Sequence, residues 1–225
     1  MLKLVIFDVD GTLIDSQAGI LAAMDGAFAA IGRPAPAREA VLGIVGLSLP
    51  QAMATLAPKL PDAERARLVE GYKQSYMRLR RGGGGEDAAP FYPGALAALE
   101  RLDAAGRLLG IATGKARRGL AHMLEAHGLA RRFVTTQTAD DAPSKPAPGM
   151  VLNCLAETGV APADAVVVGD TEYDMAMARA AGVRALGVSW GYHGTERLAR
   201  GGAEAVLPDF HALDGALAGL WGAAA

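Results

Sequence analysis

The sequence predicts an open α/β sheet of parallel strands carrying an inserted helical segment, and three observations support that reading. After about residue 90, short apolar runs alternate with longer helical patterns, as βαβ units require. The chain opens on Leu4-Val5-Ile6-Phe7, which suits a strand buried on both faces, and this run stops at Asp8, Asp10 and a Gly-Thr turn. From 16 to about 86 the rhythm breaks, with helical patterns and no convincing strand.

The first strand is expected over 4–8. Further strands follow at 108–113, 133–136, 165–169 and 184–188, with a weak last one at 205–207. Between them the apolar spacing predicts helices at 94–105, 115–127, 147–158, 172–181 and 196–200, their starts or stops marked by Pro or Gly. The strandless stretch carries helical patterns at 17–31, 38–45, 49–56 and 62–81. It closes on four successive glycines at 82–85, where a composition change suggests a hinge. The domain reading is a core formed by 1–15 and 86–225, interrupted by a helical unit over 16–85.

At 225 residues and 51% hydrophobic content the chain can build a substantial core. A formal net charge of −2 makes no whole-chain case for nucleic acid or a membrane surface as partner. The single cysteine, Cys154, cannot close an intramolecular disulfide, which points to a reducing, cytoplasmic home. The opening apolar run is too short for a signal peptide or a membrane span and has acids within it. Oligomeric state is not legible.

Ligands of open parallel sheets bind at the carboxyl ends of the strands. The first strand ends in Asp8-Val9-Asp10-Gly11-Thr12, the second in Thr113-Gly114-Lys115 and the fourth in Gly169-Asp170-Thr171-Glu172-Tyr173-Asp174; Lys145 follows the third. Side chains alternate along an extended strand, so Asp8 and Asp10 project to one side while Val9 points away. Each residue alone has an ordinary role: an acid after a strand is often a helix cap, Thr113 another cap, Lys145 a solvated charge. Together and in this order they outweigh those readings. Asp15 reads as a cap for the helix beginning near Ser16. His122 and His127, five apart, do not stack as ligands, and His193 reads as a loop-packing residue. Met175 and Met177 read as core, and Cys154 as an inert buried thiol.

Over essentially its whole length the chain resembles the haloacid dehalogenase superfamily. The phosphatases of that family carry a DxDGT first motif, a Ser/Thr second, a Lys third and an acidic fourth. The insertion resembles the family's helical cap of the first type, over a Rossmann-like core. Phe91-Tyr92-Pro93-Gly94, Lys145-Pro146-Ala147-Pro148 and Gly187-Val188-Ser189-Trp190-Gly191 resemble its phosphoglycolate phosphatase branch. The resemblance implies a phosphatase acting on a small phosphorylated metabolite. Asp8 would be the nucleophile, and Asp10 the acid that protonates the leaving oxygen and then activates water.

A carboxylate attacking a phosphate monoester needs positive charge, and a hard, oxygen-liganded Mg²⁺ is the expected source. The resemblance assigns it to the Asp8 carboxylate, the Asp10 backbone carbonyl and the Asp170 carboxylate, with Asp174 holding a metal-bound water. Lys145 would neutralise charge beside Asp8. Thr113 and backbone N–H groups near Gly11 and Gly114 would hold phosphate oxygens.

Three other functions share parts of this pattern. A β-phosphoglucomutase-like phosphotransferase uses the same core and cap. A haloacid dehalogenase shares the nucleophile but needs neither Asp10 nor Asp170. A receiver-like phosphoacceptor module places its acids in another order and lacks a cap. Between 16 and 85 there are nine Lys or Arg against five Asp or Glu. That net +4 suits an anionic substrate, with Gly46, Leu47 and Ser48 as the expected contact loop.

Overall fold

The computed structural model describes residues 2–81 and 89–222, so the expected hinge at 82–85 lies outside the described residues. Six strands form one sheet: β1 (Leu4–Phe7), β2 (Leu108–Ala112), β3 (Thr135–Gln137), β4 (Ala165–Gly169), β5 (Arg184–Val188) and β6 (Ala205–Leu207). They run in the order β3-β2-β1-β4-β5-β6, and every pairing is parallel. This doubly wound order reverses direction beside β1, which opens a crevice at the strands' carboxyl ends.

The period of two along β1 divides the interior. Val5, Phe7 and Val9 enter one apolar cluster, and Leu4 and Ile6 enter another on the opposite face. Helices α5 (Ala95–Ala104) and α6 (Arg117–Ala126) cover the first face through Leu99, Leu102, Leu120 and Met123. Helices α7 (Gly149–Thr158), α8 (Glu172–Ala180) and α9 (Thr195–Gly201) cover the second through Met150, Cys154, Met175, Ala178 and Leu198.

The helix expected over 38–45 stops at Leu42, and two further elements differ from the sequence reading for a physical reason. β3 begins later than expected and runs to Gln137, whose buried amide donates to Glu157 Oε1 at 2.8 Å and accepts from Asn153 at 3.0 Å. A polar strand residue satisfied by partners on a distant helix leaves no alternation to read. Helix α10 (Ala212–Trp221) was not anticipated, because Gly215 and Gly219 weaken its local propensity. Leu213 and Leu217, buried in the first cluster, provide the packing that overrides this weakness.

The inserted stretch is helical throughout its described elements: α1 (Gln17–Ala29), α2 (Arg38–Leu42), α3 (Leu49–Leu56) and α4 (Asp62–Arg81). They surround a third apolar cluster of their own, including Ile20, Met24, Phe28, Val41, Met53 and Leu68. No helix among the described residues is long and apolar enough to cross a membrane.

Candidate active site

Asp8 follows directly on β1, with its N–H on the Val168 carbonyl of β4 at 3.0 Å, so the carboxylate stands at the crevice. It is buried, as are Lys145, Asp170 and Asp174. Lys145 Nζ lies 2.9 Å from Asp8 Oδ1 and 2.6 Å from Asp174 Oδ1, bridging the two acids. Neither oxygen of Asp8 accepts a well-aligned hydrogen bond. Burial raises the Asp8 carboxyl to about 7 against the opposing pull of Lys145, with Asp174 and Asp10 adding to the rise. Burial pulls the Lys145 ammonium down, but Asp174 and Asp8 outweigh it and leave the group raised and charged.

Asp170 is held from two sides. Thr12 Oγ1 donates to its Oδ1 at 3.0 Å and the Tyr192 N–H to its Oδ2 at 2.8 Å. Burial pushes its carboxyl well up, assisted by repulsion from Asp174 and Asp8. Two glycines permit this placement. A Cβ on Gly11, whose φ is +82°, would fall 2.2 Å from Asp170 Oδ2, and one on Gly191 would fall 2.1 Å from Asp170 Cβ. The Gly11 N–H donates to the Ile14 carbonyl at 2.9 Å. Gly11 lacks a side chain where Asp170 must approach.

Asp174 combines the helix-cap and site readings. Its Oδ2 accepts from the Thr171 N–H at 3.0 Å and the Thr171 hydroxyl at 2.6 Å, closing a capping box at the start of α8, while Oδ1 faces Lys145. Asp8, Asp170 and Asp174 can each present an oxygen within 4.8 Å of the others. An all-carboxylate donor set with two acids raised by burial and by neighbouring acids, one lacking a well-aligned hydrogen bond, fits a hard divalent cation such as Mg²⁺.

Asp10 points to the same crevice while Val9 turns into the core. Lys115 Nζ approaches its Oδ1 at 2.7 Å, and the Ser16 hydroxyl donates to that oxygen while lying 3.1 Å from the Tyr192 hydroxyl. Ser16 occupies the N-cap position of α1, but its side chain is turned to Asp10. Asp15 accepts from the Gln17 N–H at 3.3 Å. The buried Thr113 hydroxyl accepts from the Lys115 N–H at 3.3 Å.

Sequence reasoning missed Thr12, Ser16, Lys115 and Tyr192 as supports of these acids. Thr12 and Lys115 stood within or beside quoted motifs, and that adjacency was the available signal. His193 packs as expected: its Nδ1 accepts from Glu172 N–H at 3.1 Å and its Nε2 donates to the Gly43 carbonyl at 3.2 Å.

The inserted helices meet the core here. The Ser48 N–H donates to Ser144 Oγ at 2.8 Å and the Tyr173 hydroxyl to the Gly43 carbonyl at 3.1 Å. Gly114 lies so close beneath the loop before α3 that a Cβ would be 2.6 Å from the Gly46 carbonyl oxygen.

A doubly wound sheet that gathers three acids and a lysine at its switch point defines a hydrolase of the haloacid dehalogenase type. Residues 5–188 match the family model described as haloacid dehalogenase-like hydrolase, and the chain belongs to that family. It is similar to the family's phosphatases. It shares 34% identity over 222 residues with the "Probable phosphatase IndB" of Dickeya dadantii, covering 96% of this chain and 94% of that one. It is 32% identical over 218 residues to a phosphoglycolate phosphatase of Vibrio parahaemolyticus, covering 93% and 91%. The crystal structure of a hydrolase from Pseudomonas syringae superposes with a TM-score of 0.84 at 29% identity, over 96% of this chain and 97% of that one.

Proposed function

We propose that this protein is a Mg²⁺-dependent phosphatase that hydrolyses a phosphate monoester of a small metabolite through a covalent phosphoryl group on Asp8. The observation that carries this reading is the Asp8 carboxylate: buried, without a well-aligned hydrogen bond on either oxygen, and 2.9 Å from the Lys145 ammonium. A carboxylate so little solvated is a stronger nucleophile than one in water, and the lysine opposes its neutralisation.

In the first step an Asp8 oxygen forms a bond to phosphorus while the phosphorus–oxygen ester bond breaks. The electron pair departs on the alcohol oxygen, which takes a proton from the Asp10 carboxyl. In the second, the Asp10 carboxylate removes a proton from a water attacking the same phosphorus. The bond to Asp8 breaks, inorganic phosphate leaves and Asp8 is a carboxylate again. Thr113 is the candidate donor to a phosphate oxygen, together with backbone N–H groups near Gly11 and Gly114. Asp8, Asp170 and the Asp10 carbonyl would hold a Mg²⁺, with Asp174 acting through a water, and the ion would supply the positive charge needed for an anionic nucleophile to meet an anionic ester. Residues 16–85 serve as a cap that excludes bulk water and selects substrates, a reading supported by the Ser48–Ser144 and Gly46–Gly114 contacts.

The test is phosphate release from an aryl phosphate in Mg²⁺, in EDTA, and by Asp8→Asn, with the products identified. Release in Mg²⁺ alone, nearly abolished in the variant, is expected. Full turnover by Asp8→Asn would require another nucleophile, and an isomerised sugar phosphate without free phosphate would replace hydrolysis by phosphoryl transfer.

A further inference from the structure

Resting on that reading, we infer that the substrate is a phosphate monoester whose alcohol carries a flat, largely apolar ring, rather than a two-carbon ester such as phosphoglycolate. The cavity that begins at Asp8 and Asp10 does not end beside them. It continues between the core and the inserted helices to a volume of about 530 Å³. This space remains while the insertion is docked, with Ser48 bonded to Ser144 and Gly46 against Gly114. Docking therefore leaves room for a ring-sized body, within the roughly 300–1,000 Å³ range of cavities that hold drug-sized ligands. A two-carbon ester would fill the end at Asp8 and leave the remainder to water against apolar walls.

Those walls decide the chemistry of the occupant. Tyr72 and Tyr76, one helical turn apart on α4, both line the cavity with rings stacked at 5.7 Å and 28°. Ile20 and Met24 of α1, Val69 of α4 and Leu47 add aliphatic surface. Aromatic faces favour a planar partner, by about 0.5–1.5 kcal/mol beyond its buried area. A sugar would set hydroxyls against Ile20, Met24 and Val69, and each hydroxyl left without a partner costs about 1–3 kcal/mol. Lys73 and Glu70 also line this space but pair with each other at 2.8 Å and are largely exposed, while Arg80, Arg118 and Asp140 leave charge along part of the wall for a polar edge of the ring.

The experiment measures kcat/KM for phosphate release by the Mg²⁺-loaded enzyme on benzyl phosphate, 2-phenylethyl phosphate, glycerol phosphate and phosphoglycolate. It is repeated with Val69→Trp, which fills the cavity away from Asp8, and Tyr72→Leu, which removes a ring face at similar bulk. Thermal melting verifies the fold of each variant. At least one ring-bearing ester should exceed phosphoglycolate by tenfold or more, and that ratio should fall at least tenfold in each folded variant. Phosphoglycolate matching or exceeding every ring-bearing ester would overturn the inference while leaving the hydrolase reading intact, as would a ratio unmoved in either folded variant. Phosphate release from none of the four would overturn the hydrolase reading and this inference with it.

Discussion

The Lys115 ammonium lies 2.7 Å from Asp10 Oδ1, joining the residue that ends the second motif to the second acid of the first. Both side chains are largely buried, so the contact is little screened by solvent. Lys115 thereby fixes the direction in which Asp10 presents its carboxyl group. Replacing it by methionine keeps the length of the side chain and removes the charge. Lys115→Met should lower kcat/KM for an alkyl phosphate by about 10- to 100-fold, part of the roughly 10²–10⁴ that a positioned proton-transfer group provides. The loss should be smaller for a nitrophenyl ester, whose leaving group scarcely needs a proton. Equal losses on the two esters would assign Lys115 to binding instead.

Lys145 should matter for folding as well as turnover. It is buried between Asp8 and Asp174, and removing one partner from a buried ion pair costs about 3–5 kcal/mol. In metal-free buffer Lys145→Met should therefore melt about 10 °C or more below wild type, given roughly 2–4 °C per kcal/mol for a chain of this size. Calorimetry on the two proteins decides it.

Stability of the metal-free protein should depend on pH through the same acids. The Asp8 carboxyl is raised to about 7 from an ordinary value of 3.8, and Asp170 is raised in the same direction. Between those values the folded state binds more protons than the unfolded one, so stability falls as pH rises from about 4 to about 7. A divalent cation offsets the repulsion among ionised acids. Adding Mg²⁺ should raise the melting temperature clearly at pH 8 and little at pH 5. The same increment at both pH values would contradict a metal bound by these carboxylates.

Gly114 tests the contact between the inserted helices and the core. A methyl at this position would lie 2.6 Å from the Gly46 carbonyl oxygen and 2.7 Å from that of Leu47, both backbone atoms that cannot rotate away. Gly114→Ala should hold the loop off the core, speeding proteolysis of residues 16–85 and lowering kcat/KM by about tenfold or more, since displacing a positioning element costs rate steeply. Wild-type proteolysis and kinetics would show that the loop shifts without consequence.

Cys154 should be silent. Its thiol is buried on α7 with Sγ 3.7 Å from the Ile111 carbonyl, and burial pushes its pKa up to about 12. The thiolate is the reactive form, so a thiol reagent at pH 8 should label the protein only after unfolding. Stoichiometric labelling of the folded protein would overturn this assignment.

The sequence by itself determined the parallel α/β class, five strands to within a residue or so, and the four segments whose ends carry Asp8, Thr113, Lys145 and Asp170. These features follow from local spacing: a period of two in a strand, a helical period between strands, and a polar residue where an apolar run stops. The tertiary structure alone decided which group holds which acid. Thr12 reaches Asp170 across 158 residues, and Lys115 reaches Asp10 across 105. Such contacts depend on strand order, which crossovers set and no local period encodes. Helix α10 was hidden because its reason for being helical is the core beneath Leu213 and Leu217. The cavity beyond Asp8 belongs to the tertiary structure in the same sense, since its volume is the space left between two separately packed apolar clusters, and that space has no signature along the chain.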